Sequence, residues 1–313
     1  MRLWPWALFG VLVLSALALD LGLFSPRRGE QRELTLREAG ARTAAWAALS
    51  VLFGVVVLVL YGEHAAVTYV TAYLLEQSLS IDNVFVFLLI FSELRVPPAQ
   101  QRAVLLWGVI GALVMRALLI AAGLFLLNQF HWVVYPFAAL IIFAAFRLLF
   151  GGQKQRELVA AACGICSTWV ARIIPITSQY HGGRFWVRQA ERADRLVATP
   201  LLVALIIVET TDIVFALDSV PAVLAVTREP FIVYTSNIFA MLGLRSLYFV
   251  LSGVVERFRY LRVGLAGILV FFGARLLLGD LLDVPNGVSL AVIAAALALS
   301  VAASVKWPGA AAT

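Results

Sequence analysis

Nine apolar runs, at residues 4–24, 42–60, 66–92, 103–127, 132–150, 199–226, 232–252, 262–279 and 287–305, decide what this chain can fold into. Each is long enough to cross the hydrocarbon core of a bilayer as a helix, which takes roughly 17 residues or more. Lipid offers no hydrogen bonds, so a spanning segment must pair its own backbone N–H and C=O groups, and a helix does so. A composition of 62% hydrophobic and 13% charged residues, with a mean hydropathy of +0.95, excludes an ordinary soluble domain. The expectation is an all-α polytopic membrane protein with about nine transmembrane helices.

The net charge of +6, from 24 Lys+Arg against 18 Asp+Glu, concerns orientation rather than nucleic acid, because of where the basic residues sit. Eighteen of them lie in alternate connections and the C-terminal tail. Arg27, Arg28, Arg32, Arg37 and Arg42 are in the first connection, Arg95 and Arg102 in the third, and seven more between 151 and 198. Arg257, Arg259 and Arg262 are in the seventh, and Lys306 is in the tail. Arg2 and Arg228 lie on the other side, while Arg116, Arg147, Arg245 and Arg275 fall within spans. Basic loops stay in the cytoplasm. The N-terminus is therefore expected outside and the C-terminus inside, in the cytoplasmic membrane, with no nucleic-acid partner.

Residues 1–18 end in Ala16-Leu17-Ala18 and are compatible with a cleavable leader, but the arginines that follow resist translocation, so a retained first helix is expected. Residues 158–176 are also apolar, yet a crossing there would export Arg184, Arg188, Arg192 and Arg195. An interfacial helix is the better reading, followed by a short hairpin from "HGGRFWVR" and "RLVATP" with Gly182 and Gly183 as turn material. Cys163 and Cys166 form a lone CxxC with no second pair, which supports neither a disulfide framework nor a zinc site. His64 and His131 sit at loop margins and His181 in the hairpin, where an interfacial role is the simpler one.

An internal repeat organises the rest. The third run carries Glu76 and then "LSIDNV" (Leu79–Val84), and the sixth carries Asp212 and then "FALDSV" (Phe215–Val220). The fourth holds "GALVMRAL" around Arg116 and the seventh "AMLGLRSL" around Arg245. The fifth ends "FRLLFG" and the eighth "ARLLLG", pairing Arg147 with Arg275. A unit of three spans occurring twice must enter the membrane from opposite sides, so runs 3–5 and 6–8 form an inverted 3+3 repeat. That is an architecture of secondary transporters, whose substrate sites lie near the midplane between the repeats. The expected divisions are 1–65 (two leading spans), 66–150 (first repeat), 151–198 (cytoplasmic loop), 199–280 (second repeat) and 281–313 (last span and tail).

Five acids lie within these spans: Glu76, Asp82, Glu209, Asp212 and Asp218. An ionised acid at mid-bilayer costs roughly 2.5–3.5 kcal/mol, so five oppose insertion by more than about 10 kcal/mol unless they are met by opposite charge. Arg116 and Arg245 supply two positive charges, and protons or a cation must meet the remaining three negative ones. On straight helices Glu76 and Asn83 share a face, as do Asp212 and Ser219, while Asp82 and Asp218 lie about 120° away. Convergence is therefore expected to need a break near Ser80–Asp82 and another beside Asp218, where Pro221 cannot bond the carbonyl of Leu217. The candidate ligands, Glu76, Asp82, Asn83, Asp212, Asp218 and Ser219, are all oxygen donors, with Glu209, Ser80, Arg116, Arg245 and Asn237 around them. Oxygen ligands suit Mn²⁺, Mg²⁺ or Ca²⁺. The ion is cargo, and no resident cofactor is expected.

At "EQSLSIDNVFVF", "ETTDIVFALDSVPAV", "REPFIVYTSNIFAMLGLRSLYF" and "ERFRYL" the chain resembles the TerC family of integral membrane proteins over roughly residues 40 to 300. The family is named for tellurium resistance, belongs to a lysine-exporter-like superfamily, and includes manganese exporters and proteins implicated in metal loading of secreted enzymes. The resemblance implies Mn²⁺ efflux. Glu76, Asp82 and Asn83 match its first motif, and Asp212, Asp218 and Ser219 its second. Tellurite is an anion, so an acidic pocket is a poor direct site for it.

The functional expectation is alternating access by a non-enzymatic carrier, with inward proton flux as counter-current. Glu209 is the candidate proton carrier, because the aligned position in the first copy is Tyr73. One rival is an intramembrane aspartyl hydrolase, but neither Asp82 nor Asp218 has a Gly within three residues. The other is a non-transporting partner of secretion or metal-resistance complexes, with the acids as an assembly site.

Overall fold

A computed structural model describes residues 4–20, 35–150, 152–177, 179–189, 195–252, 260–279 and 284–307. Its elements are α1 (Trp4–Asp20), α2 (Leu36–Tyr61), α3 (Glu63–Glu93), α4 (Pro98–Gln129), a 3₁₀ turn (His131–Val133), α5 (Val134–Phe150) and α6 (Gly152–Ile173). Two short strands follow, β1 (Trp186–Gln189) and β2 (Arg195–Ala198), and then α7 (Pro200–Leu224), α8 (Pro230–Leu251), α9 (Leu261–Leu277) and α10 (Asn286–Lys306). Arg2, Arg27, Arg28, Arg32, Arg192, Arg257 and Arg259, used above to orient the chain, lie outside the described residues.

Local chemistry sets the helix starts. Thr35 and Glu38 form a capping box on α2, the Thr35 hydroxyl accepting from Glu38 N–H and the Glu38 carboxylate from Thr35 N–H, so two orphan donors are met at once. Pro98, Pro200 and Pro230 open α4, α7 and α8, where the missing N–H costs nothing. Gly62 alone separates α2 from α3, at φ 86°, a backbone that a side chain would strain.

Among the described residues six helices are long and apolar enough to cross a membrane: α2, α3, α4, α5 with its leading turn, α7 and α10. The other expected spans, α1, α8 and α9, fall short of that class for different reasons. The apolar part of α1 is Trp4–Ser15 and α9 has 17 residues, while α8 is diluted by Thr235, Ser236, Asn237 and Arg245. The expected interfacial segment is α6, longer at its start than the sequence suggested. The hairpin is present, with Trp186 opposite Ala198 and Gln189 opposite Arg195. Gly182 and Gly183, at φ 52° and 79°, turn the chain into β1 rather than joining the strands.

Of the six long apolar helices, α3 is the most buried. It packs on α8, while α4 packs on α7 and α5 on α9; α2 covers α3 and α8, and α10 covers α3 and α9. Small residues allow the close approaches, as expected where lipid gives helices no hydrophobic reason to associate. A Cβ on Gly123 would lie 2.8 Å from the Leu224 side chain, and one on Gly273 would lie 2.6 Å from Ile142. Trp6 and Phe9 of α1 join Phe53, Tyr69, Phe231 and Phe239 in an aromatic cluster.

The expected helix breaks are absent: α3 runs unbroken from Glu63 to Glu93, and α7 passes through Pro221 to Leu224. Pro221 still removes the N–H that would bond the Leu217 carbonyl, but residues 219–224 are all buried, so packing keeps the chain helical through it. Ser80 Oγ is buried without a hydrogen-bond partner and is not satisfying a freed backbone group.

Candidate cation site

Unbroken helices bring the acids together in two stations rather than one. The first is built on Arg116 of α4, whose side chain is only 1% exposed. Its Nη1 donates to Glu76 Oε2 on α3 at 2.7 Å and to Ser219 Oγ on α7 at 3.2 Å. Its Nε and Nη2 grip the two oxygens of Asp212, each at 3.3 Å. One planar guanidinium thus ties α3, α4 and α7 together, a task suited to the fixed fork of an arginine. The pairing is incomplete on the α8 side. Asn237 lies beside Glu76, yet Glu76 Oε1 and Asn237 Nδ2 are both buried without a hydrogen bond. Gln77 Oε1, on the same stretch of α3, is likewise unpaired.

The second station is a cavity of about 30 Å³ whose polar walls are Asp82 and Asn83 from α3, Asp218 and Ser219 from α7, and Arg147 from α5. Leu79, Ala144, Leu148, Phe215 and Leu269 close it. That volume holds one or two water-sized occupants, so a fully hydrated divalent ion cannot enter intact. Arg147 Nη2 donates to Asp218 Oδ2 at 2.5 Å, and its guanidinium also lies 5.9 Å from the centre of the Phe215 ring. Asp82 Oδ1 is buried with no hydrogen-bond partner. Ser219 belongs to both stations, bonding Arg116 and lining the cavity.

The six expected ligands are therefore divided. Glu76 and Asp212 are held by Arg116, and Asp82, Asn83 and Asp218 face the cavity, with Ser219 between. Among the described residues no three His, Cys, Asp or Glu side chains sit together closely enough to hold a metal ion on their own. Any ion in the cavity would draw on two carboxylates, an amide oxygen and a hydroxyl. Glu209 lies one turn before Asp212 on α7, within reach of its charge, and sits against Gly111 of α4: a Cβ at 111 would fall 1.9 Å from Glu209 Oε1. Arg245 is half-buried on α8.

Sequence reasoning missed Arg147, Gln77 and Gly111. The repeat paired Arg147 with Arg275, but the two have different partners. Arg275 donates to Ser289 Oγ and Asn286 Oδ1 of α10, both at 2.8 Å, and Asn286 passes the network to Thr68 of α3. Because α10 lies outside the repeat, nothing in the motif comparison could have revealed it.

The two cysteines are both free, Cys163 buried and Cys166 half-buried. Burial, with smaller contributions from Glu93 and Cys166, pushes the Cys163 thiol up to about 11. At pH 7 about one Cys163 in 10⁴ is then a thiolate, whereas redox-active CxxC pairs depend on a lowered pKa. Maleimide labelling of the folded protein at pH 7 is expected to spare Cys163, with its modification rising only as pH approaches 11. Rapid labelling of Cys163 in a Cys166→Ser variant at neutral pH would contradict this environment.

Comparison with known proteins bears on the family resemblance. The model of the family described as "Integral membrane protein TerC family" matches residues 61–308. The chain is 44% identical over 299 residues to "Uncharacterized membrane protein STKORF319" of Myxococcus xanthus, covering 96% of this chain and 91% of that one. It is 41% identical to "Putative membrane-bound redox modulator Alx" of Escherichia coli strain K12, with 92% and 90% coverage. A membrane protein of Rickettsia bellii is 33% identical over 96% of both chains. No solved structure matches.

Proposed function

We propose that this chain, which belongs to the integral membrane protein TerC family, is a secondary transporter that exports a divalent cation, Mn²⁺ foremost, across the cytoplasmic membrane. The observation that carries this reading is that Asp82 and Asp218, from the two equivalent motifs, face one small cavity with Asn83 and Ser219. The donors are all oxygen, which suits Mn²⁺, Mg²⁺ and Ca²⁺ alike, and manganese is placed first by the motif resemblance. The packing supports a twofold repeat of a three-helix unit, and the odd number of helices per copy would make it inverted. Exchanging α3 with α7, α4 with α8 and α5 with α9 turns the α3–α8 contact into the α7–α4 contact and returns α5–α9 to itself. With the arginine-rich connections inside, the N-terminus faces out and the C-terminus faces the cytoplasm.

In this reading a hydrated cation enters from the cytoplasm, sheds most of its water to fit the cavity, and leaves outward as the repeats rock against each other. Arg116 positions the helices around it and is not a ligand. Deprotonation of the carboxylates on binding couples export to inward proton movement, with Glu209 as carrier. The Escherichia coli relative is named a redox modulator, and the raised pKa of Cys163 does not favour the CxxC of this chain as a redox pair. A non-transporting assembly partner needs no cavity between the two Asp, so the carrier is preferred.

Proteoliposomes holding the purified chain test this directly. Mn²⁺ flux well above that of empty vesicles is expected, accelerated by a pH gradient opposing the ion's direction. In the same assay Glu209→Gln is expected to lose the acceleration. Absence of flux through folded protein would return the chain to the assembly role, and unchanged gradient dependence in Glu209→Gln would remove that residue from the proton path.

A further inference from the structure

A second cavity, of about 580 Å³, lies away from the acids, between the α3–α4 connection and the end of α8. One part of its wall is basic: Arg95 and Arg102 both line it. Another is apolar, from Leu88, Phe91 and Phe249. Its frame is fixed by polar contacts. Tyr248 Oη donates to Gln101 Oε1 at 2.8 Å, and Gln101 Nε2 donates to the Val96 carbonyl at 2.9 Å, which locks the start of α4 against α8. Arg102 sits over the Phe249 ring at 5.9 Å, so its guanidinium is held at the boundary between the two surfaces. Arg95 adopts φ 51°, a left-handed backbone rare outside glycine, and such strain persists where the surroundings demand it. Arg95 closes the turn with its N–H on Ser92 O, followed by Val96 N–H on Phe91 O.

We propose that this cavity binds the phosphate of an anionic phospholipid from the cytoplasmic leaflet. Guanidinium groups are the preferred partners of phosphate, and a basic pocket among spanning helices on the cytoplasmic side is where anionic headgroups bind. The apolar wall selects a lipid over free phosphate, because an inorganic ion would leave Leu88, Phe91 and Phe249 wet. The paired positive charges select an anionic headgroup over a zwitterionic one, whose amine would be held beside two arginines. The cavity is within the size range of small-molecule sites. This inference stands apart from the transport reading, since none of these residues belongs to either acidic station.

Native mass spectrometry of the full chain released from detergent, titrated with dioleoylphosphatidylglycerol, dioleoylphosphatidylcholine or sodium phosphate, tests it. Phosphatidylglycerol adducts are expected at a lipid concentration about tenfold lower than phosphatidylcholine adducts. Arg95→Gln/Arg102→Gln is expected to abolish that preference, while Arg172→Gln, on α6 and outside the cavity, retains it. Because Arg95 is exposed, Arg95→Gln alone is expected to fold normally and to weaken the preference, which keeps the test decisive if the double variant misfolds. Equal binding of the two lipids, an undiminished preference in the variants, or displacement of phosphatidylglycerol by equimolar sodium phosphate would overturn the proposal.

Discussion

Arg116→Met is expected to cost about 3–5 kcal/mol of folding stability, the penalty of removing one partner from a buried ion pair. The size follows from what is left behind. Glu76 and Asp212 are 0% and 2% exposed, and both would face an apolar side chain with no countercharge. Desolvation that three hydrogen bonds and two ion pairs now offset would then act unopposed. Arg116→Lys retains the charge but not the fork that reaches Glu76, Asp212 and Ser219 together, so an intermediate loss is expected. The decisive comparison is Arg116→Met/Glu76→Gln/Asp212→Asn, in which charge is removed from all three helices. It should recover most of the stability lost by Arg116→Met, since a buried ion cluster contributes little net stability over a neutral one of similar shape. Denaturant or thermal unfolding in micelles measures all three. A near-wild-type Arg116→Met would mean that the cluster is hydrated and the helices are held together by packing alone.

How much of this was legible in sequence depends on the scale of the interaction. Apolar runs place the helices well because lipid imposes one solution on the backbone, and Asp82 and Asp218, read in sequence as equivalent positions of two motifs, line one cavity. The charge tally failed through Arg147. On a helical projection it is one more basic residue near the end of a span, and only the packing of α5 on α9 and α7 turns it toward Asp218. The anticipated helix breaks failed for a related reason. They were required if all six ligands met at one point, but two stations sharing Ser219 accommodate the roughly 120° offset between Glu76 and Asp82 on unbroken helices. The hidden assumption was a single site, and spacing along one helix carries no information about how many partners surround it. Gly111 was in view as the first residue of "GALVMRAL", yet its meaning as the space occupied by Glu209 requires the facing helix.

The ion pair in the cavity bears on the proposed transport. Arg147 is the cationic side chain that lines the cavity with Asp82 and Asp218, and it pairs with Asp218. An incoming divalent cation must compete with the Arg147 guanidinium for Asp218, and the arginine side chain, 38% exposed against 14% for Asp218, has room to withdraw. Under the proposed transport reading, Arg147 would be a tethered substitute for the cargo, pairing with Asp218 when no ion is bound. Arg147→Gln is expected to lower the half-saturating Mn²⁺ concentration by about tenfold, the equivalent of one hydrogen bond to a charged group, while reducing maximal flux because release is slower. Asp218→Asn and Asp82→Asn remove ligands instead, and each is expected to reduce flux by about a hundredfold or more while the Arg116 cluster keeps the protein folded. The opposite pattern, with both Asp variants transporting normally or Arg147→Gln raising the half-saturating concentration, would move the ion's path out of this cavity.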